Sequence, residues 1–127
     1  MATWFAETLS ETQHARLQIV ASPYVRAQQT AAIIADRLGK SVEELGLITP
    51  DDPIEPVLGW LQTHVKDTPY LLVSHMPLVG SLTARLVDGD PRSSLPMPTA
   101  AIAGLTSEVW AAGCANLAMF RQPVDFA

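Results

Sequence analysis

The sequence predicts a three-layer α/β/α domain built on a mostly parallel sheet. Two short, continuous apolar runs, "LQIVAS" (17–22) and "YLLVS" (70–74), read as strands covered on both faces. Each is followed by an amphipathic helix, and a further helix lies between the two units. Strand, helix, helix, strand, helix is the order that packs helices against a parallel sheet.

The elements follow in order. Met1, Trp4, Phe5 and Leu9 fall at helical spacing, so the chain is expected to begin inside an amphipathic helix rather than in a leading strand. "LQIVAS" is the first strand. Ser22 and Pro23 then read as helix cap and first helical position. Ala27, Ala31, Ile34 and Leu38 share one face of a helix that stops at Gly39. "GLITPDDPIEP", with three prolines in seven residues, reads as an ordered surface loop, and a helix is expected over roughly Val57 to Val65. "YLLVS" is the second strand, and "PLVGSLTARLVDG" a helix with Leu78, Leu82 and Leu86 in line. After the Pro-rich "DPRSSLPMP", the segments "TAAIAGLTSEV" and "NLAMF", joined by "WAAGCA", read as a terminal strand pair.

At 127 residues and 48% apolar content, residues 1–127 are enough for a single domain with its own core. The formal charge of -5, with eight Lys and Arg spread singly, offers no basic patch for a nucleic-acid backbone. Cys114 is the one cysteine, which excludes an internal disulfide. The first ten residues carry neither basic charge nor a continuous apolar core for a secretion signal, and no apolar run approaches the length of a bilayer span. A soluble, cytoplasmic protein is expected, with no nucleic-acid or membrane partner.

In an open α/β sheet the ligand crevice lies at the carboxyl ends of the strands, where "SPYVR" (22–26) and "SHMP" (74–77) both fall. Arg26 sits in a first helical turn, and helical side chains lean toward their own N-terminus, where unpaired N–H groups and about half a positive charge attract anions. Its guanidinium is a planar fork that fits phosphate oxygens, and His75 adds an N–H or a proton. Phosphate or a carboxylate is the natural guest. Taken singly, such an arginine is more often a solvated residue or an ion-pair partner, and such a histidine a loop cap. Supplied together by two strand ends, they form a constellation.

The segments "SPYVRAQQTA" and "LLVSHMPLVGSL" resemble those of the histidine phosphatase superfamily, and specifically of its small SixA-type phosphohistidine phosphatases. The first is similar to the family's Ser-Pro-x-x-Arg-Ala-x-Gln-Thr segment and the second to its second-histidine segment. The likeness runs from about Trp4 to the C-terminus, through the "VLGWLQ" helix and the final hairpin. It implies the phosphoglycerate-mutase-like fold, a phosphohistidine-bearing signalling or phosphotransfer protein as substrate, and Arg26 and His75 as catalytic residues that bind the transferring phosphoryl group and stabilise its equatorial charge. It also implies a different histidine as nucleophile, in an Arg-His-Gly triplet after the first strand, forming a phosphohistidine enzyme that water hydrolyses. Residues 1–127 contain no such triplet. His14 ("TQHARL") and His64 ("LQTHVK") neither follow an arginine nor close an apolar strand, and read as solvated surface histidines. The expectation is therefore a domain incomplete at its N-terminus and lacking the family's first strand, with Met1 an internal methionine of a longer chain. On that expectation the 127 residues are inactive, less stable than their parent and inclined to pair between copies.

Asp51, Asp52 and Glu55 are the general-acid candidates, but nothing in "PDDPIEP" provides the burial that would raise a carboxyl pKa, and a solvated loop is expected. Phosphohistidine, whose imidazole leaves readily, has less need of an acid than an ester. Gly80 reads as tight helix packing, Trp60 and Trp110 as core or loop anchors, and Cys114 has no basic neighbour to activate it. No Cys/His cluster, Walker motif or dinucleotide fingerprint implies a metal or nucleotide cofactor. The alternative function is a non-catalytic phosphate- or phosphopeptide-binding module that keeps the Arg26 and His75 pocket.

Overall fold

The computed structural model describes residues 9–98 and 101–122. These divide into two compact units, 9–49 with 67–75 and 50–66 with 76–98 and 101–122.

The first unit holds α1 (Glu11–Arg16), β1 (Gln18–Ala21), α2 (Val25–Leu38), β2 (Val42–Glu44), a 3-10 turn (Gly46–Ile48) and β3 (Tyr70–Val73). The three strands form a parallel sheet in the order β2-β1-β3, with Ile19 opposite Val42 and Leu71, and Ala21 opposite Glu44 and Val73. Its core is Leu17, Ile19, Val20, Ala21 and Ile48 with the inner face of α2. That face is Ala27, Ala31, Ala35 and Leu38, not the expected Ala27, Ala31, Ile34 and Leu38; Ile34 is half-buried. Three alanines four residues apart bring the helix close against the sheet, and the larger Ile34 stands at the margin of the contact. Gly39 ends the helix in the left-handed region, φ 67°, with its N–H and that of Lys40 closing on the last turn.

Several expectations need correction. α2 starts at Val25, with Tyr24 as a cap that lends no side chain, so Ser22 and Pro23 belong to the turn rather than to the helix start. Ser22 Oγ instead accepts from the Tyr24 N–H at 3.3 Å, satisfying a turn donor two residues on. The strand β2, "VEE", lies in what reads as loop; three residues, two of them acidic and exposed, give no apolar run to detect. β3 forms as expected, but its four residues are half-buried, since it is an edge strand among the described residues. Of the expected N-terminal helix, residues 1–8 lie outside the described residues; Leu9 precedes α1, whose Ser10 and Gln13 make a reciprocal capping box.

The second unit holds α3 (Ile54–His64), α4 (Leu78–Asp88) and an antiparallel pair, β4 (Ile102–Thr106) and β5 (Asn116–Arg121). α3 begins three residues before the predicted Val57 and takes in Pro56. Proline is tolerated there because a first-turn N–H has no intrahelical acceptor in any case. α4 buries Leu78, Leu82 and Leu86 and ends at Gly89, φ 80°. The β4–β5 connection returns to that helix end, Gly113 and Ala115 donating to the carbonyls of Arg85 and Leu86 at 2.9 and 2.8 Å. Gly80 is held tightly: a Cβ there would meet Met76 Sδ at 2.7 Å and the Leu95 carbonyl closer still.

Candidate phosphate site

β1 has β2 on one flank and β3 on the other, so the winding of the sheet reverses at β1. Such a reversal leaves a crevice at the carboxyl ends of the strands concerned, here β1 and β3. The chain builds that place carefully. The Ser22 N–H donates to the Val73 carbonyl at 2.9 Å, carrying the ladder one residue past Ala21. Ser74 Oγ donates to the Ile48 carbonyl, tying the end of β3 to the 3-10 turn. The Leu45 N–H donates to Ala21 O at 2.8 Å. Ser22 itself is fully buried.

Two side chains with anion chemistry issue from these strand ends. Arg26 is the second residue of α2, exposed, in a helix whose cap leaves first-turn N–H groups without a side-chain acceptor. The ion pairs Arg85–Glu55 and Arg92–Asp90 do not engage Arg26. His75 lies two residues past β3 and is half-buried, and its Nδ1 is buried without a hydrogen-bond partner among the described residues. An orphaned buried ring nitrogen is costly, and a bound polar group is one way to satisfy it.

Of the other titratable candidates, His14, His64 and Glu55 have partners of their own. His14 is not the solvated surface residue expected: it is half-buried, and its Nε2–H donates to the Leu38 carbonyl at 2.7 Å. That contact is at the carboxyl end of α2, about 20 Å from Arg26 by the rise of a fourteen-residue helix. His64 is exposed, as expected, but stacks on Trp60 with ring centroids 4.6 Å apart and hydrogen-bonds the Trp60 carbonyl through Nδ1. Glu55 pairs with Arg85 at 3.0 Å, and the Arg85 hydrogen bond holds its carboxyl below the usual range, which favours the ionised form. Asp51 is exposed. Among the described residues no three His, Cys, Asp or Glu side chains cluster as metal ligands, and no helix is long and apolar enough to cross a membrane.

Sequence reasoning missed the residue that braces this turn. Gln28 reaches back from α2 to the β1 end, its Nε2 donating to Ser22 O at 2.8 Å, with Ala21 O at 3.5 Å. No local pattern marks a bond from a helix back to the strand six residues before it.

No protein-family model matches the chain. The phosphohistidine phosphatase SixA of Escherichia coli (strain K12) is 33% identical over 124 residues, 94% of this chain and 73% of that protein. The structure of the protein histidine phosphatase SixA complexed with tungstate matches with a TM-score of 0.80 at 30% identity, over 99% of this chain and 78% of that one. A structure from Nakamurella multipartitia assigned as a phosphohistidine phosphatase SixA matches at TM-score 0.63 and 21% identity, a likeness of fold alone.

Proposed function

Because the chain belongs to the SixA-type members of the histidine phosphatase superfamily, whose α/β fold with a parallel sheet it shares, we propose that it serves the hydrolysis of phosphohistidine on a signalling or phosphotransfer protein in the cytoplasm. The observation that carries the reading is the Ser22–Val73 hydrogen bond, which sets side by side the two strand ends bearing Arg26 and His75. In this reading the phosphoryl group lies at the α2 N-terminus. The Arg26 fork takes two of its oxygens, and His75 donates to a third, stabilising the charge that spreads over them as the bond to the leaving imidazole breaks. Metaphosphate-like transition states leave the protein mainly to position and neutralise, which is the chemistry these two groups supply.

The family mechanism passes the phosphoryl group to an enzyme histidine in an Arg-His-Gly triplet, with the substrate imidazole leaving and water then releasing phosphate. Residues 1–127 contain no such triplet, and His14 and His64 are held by carbonyls of their own. A second reading, which rests on the same Arg26 and His75 geometry, is a pocket that binds a phosphoryl group without turning it over. Phosphate release from a histidine-phosphorylated protein, measured with the protein isolated from its own host, separates the two. Turnover carries the phosphatase, saturable phosphate binding without turnover carries the binding module, and the absence of both overturns the pocket.

A further inference from the structure

We infer that Gln28 is a positioning residue for the oxyanion site, an inference that rests on the Arg26 and His75 reading above. Position 28 is a variable place in the Ser-Pro-x-x-Arg-Ala-x-Gln-Thr segment, so the resemblance gives it no role. The structure gives it one. Its side-chain amide, half-buried, lies against two carbonyl oxygens, Ser22 O at 2.8 Å and Ala21 O at 3.5 Å. Two acceptors on one side fix the amide orientation, since only the nitrogen can donate to both.

The brace acts on Arg26 through the turn between them. Ser22 is locked on its amide side by Val73 and on its hydroxyl side by the Tyr24 N–H, and Gln28 closes the remaining carbonyl. The segment 22–24 therefore has one conformation, and α2 leaves the sheet with Arg26 at a set place in its first turn. Without the Gln28 donor, the carbonyl of a fully buried residue is left unsatisfied. The turn must then rearrange, or the carbonyl must draw a donor from elsewhere, and the nearest rich source in sequence is the Arg26 guanidinium that the phosphoryl group needs. Gln28 thus keeps an acceptor from competing with the anion for Arg26.

The test is an NMR titration of the 127-residue chain with inorganic phosphate, run where circular dichroism shows every variant folded. Gln28→Met keeps the length and loses the amide, and is expected to weaken phosphate binding about fivefold, the worth of roughly one hydrogen bond. Gln28→Ala serves in the same way if the methionine variant does not fold. In an Arg26→Ala background the same change is expected to alter affinity less than twofold, because its effect passes through Arg26. A lower melting temperature with unchanged phosphate affinity, or an equal loss with and without Arg26, overturns the positioning role while leaving the pocket standing. A wild-type chain that binds no phosphate overturns the pocket, and Gln28's role with it.

Discussion

The Ser22 amide donates to the Val73 carbonyl at 2.9 Å, and this one bond makes neighbours of a turn that leads to Arg26 and a strand end that leads to His75. If the phosphoryl group is held by those two side chains, Arg26→Ala lowers phosphate affinity by at least tenfold, and lowers kcat/KM about a hundredfold where turnover is measured. His75→Ala weakens binding too, but it also removes an unsatisfied buried nitrogen and so does not lower the melting temperature. Isothermal titration with phosphate beside thermal melts checks both, and an unchanged Arg26→Ala affinity would sink the assignment.

The Glu55–Arg85 pair joins α3 to α4, and the Arg85 hydrogen bond lowers the Glu55 pKa. A group whose folded pKa is depressed adds stability above its unfolded value, near 4.5, and loses that contribution as pH falls through the folded value. Glu55→Gln therefore destabilises the protein slightly at pH 7, and the gap to wild type narrows as the solution is acidified below pH 4.5. Urea midpoints across that range measure it; a gap that stays constant with pH contradicts the pairing.

Gly80 carries the Leu95 N–H on its carbonyl at 3.1 Å and has no room for a Cβ beside Met76 and the Leu95 backbone. Met76 can swing its thioether aside, but main chain cannot yield so cheaply. Gly80→Ala is expected to cost ~1–3 kcal/mol despite the better helix propensity of alanine. A chemical denaturation curve equal to wild type would show that segment 90–98 adjusts freely.

Among the described residues β3 presents Leu71, Leu72 and Val73 half-buried at an edge of the sheet, without the charges or proline that usually guard such an edge. Concentration-dependent association is expected, and Leu72→Lys reduces it. Sedimentation velocity over a wide range of loading concentrations decides, and a single unchanged species throughout would refute this reading of the edge.

Continuous apolar runs and a leucine stripe made β1, β3 and α4 legible, and the Gly39 stop marked the end of α2. β2 was not, because "VEE" gains its strand character from pairing with Ile19, Val20 and Ala21 rather than from its own composition. α1 had a readable signal in Ser10 and Gln13, three residues apart, which the apolar spacing upstream obscured. Arg26 and His75 stood out through segment likeness and strand-end position. Gln28 did not, since its bond depends on how steeply α2 leaves the sheet, a property of the fold and not of any window of sequence.

The β1–β3 pairing also sets a timetable. Ala21 and Val73 are register partners 52 positions apart, and the intervening chain includes all of α3 from the other unit. Closing so long a loop costs entropy before the contact rewards it, so this ladder belongs to the late events of folding. During synthesis β1, α2 and β2 are all made before Tyr70 has been added. A nascent chain halted before that point holds the arginine but only half of the crevice, and gains the second strand end and its histidine in one closing step.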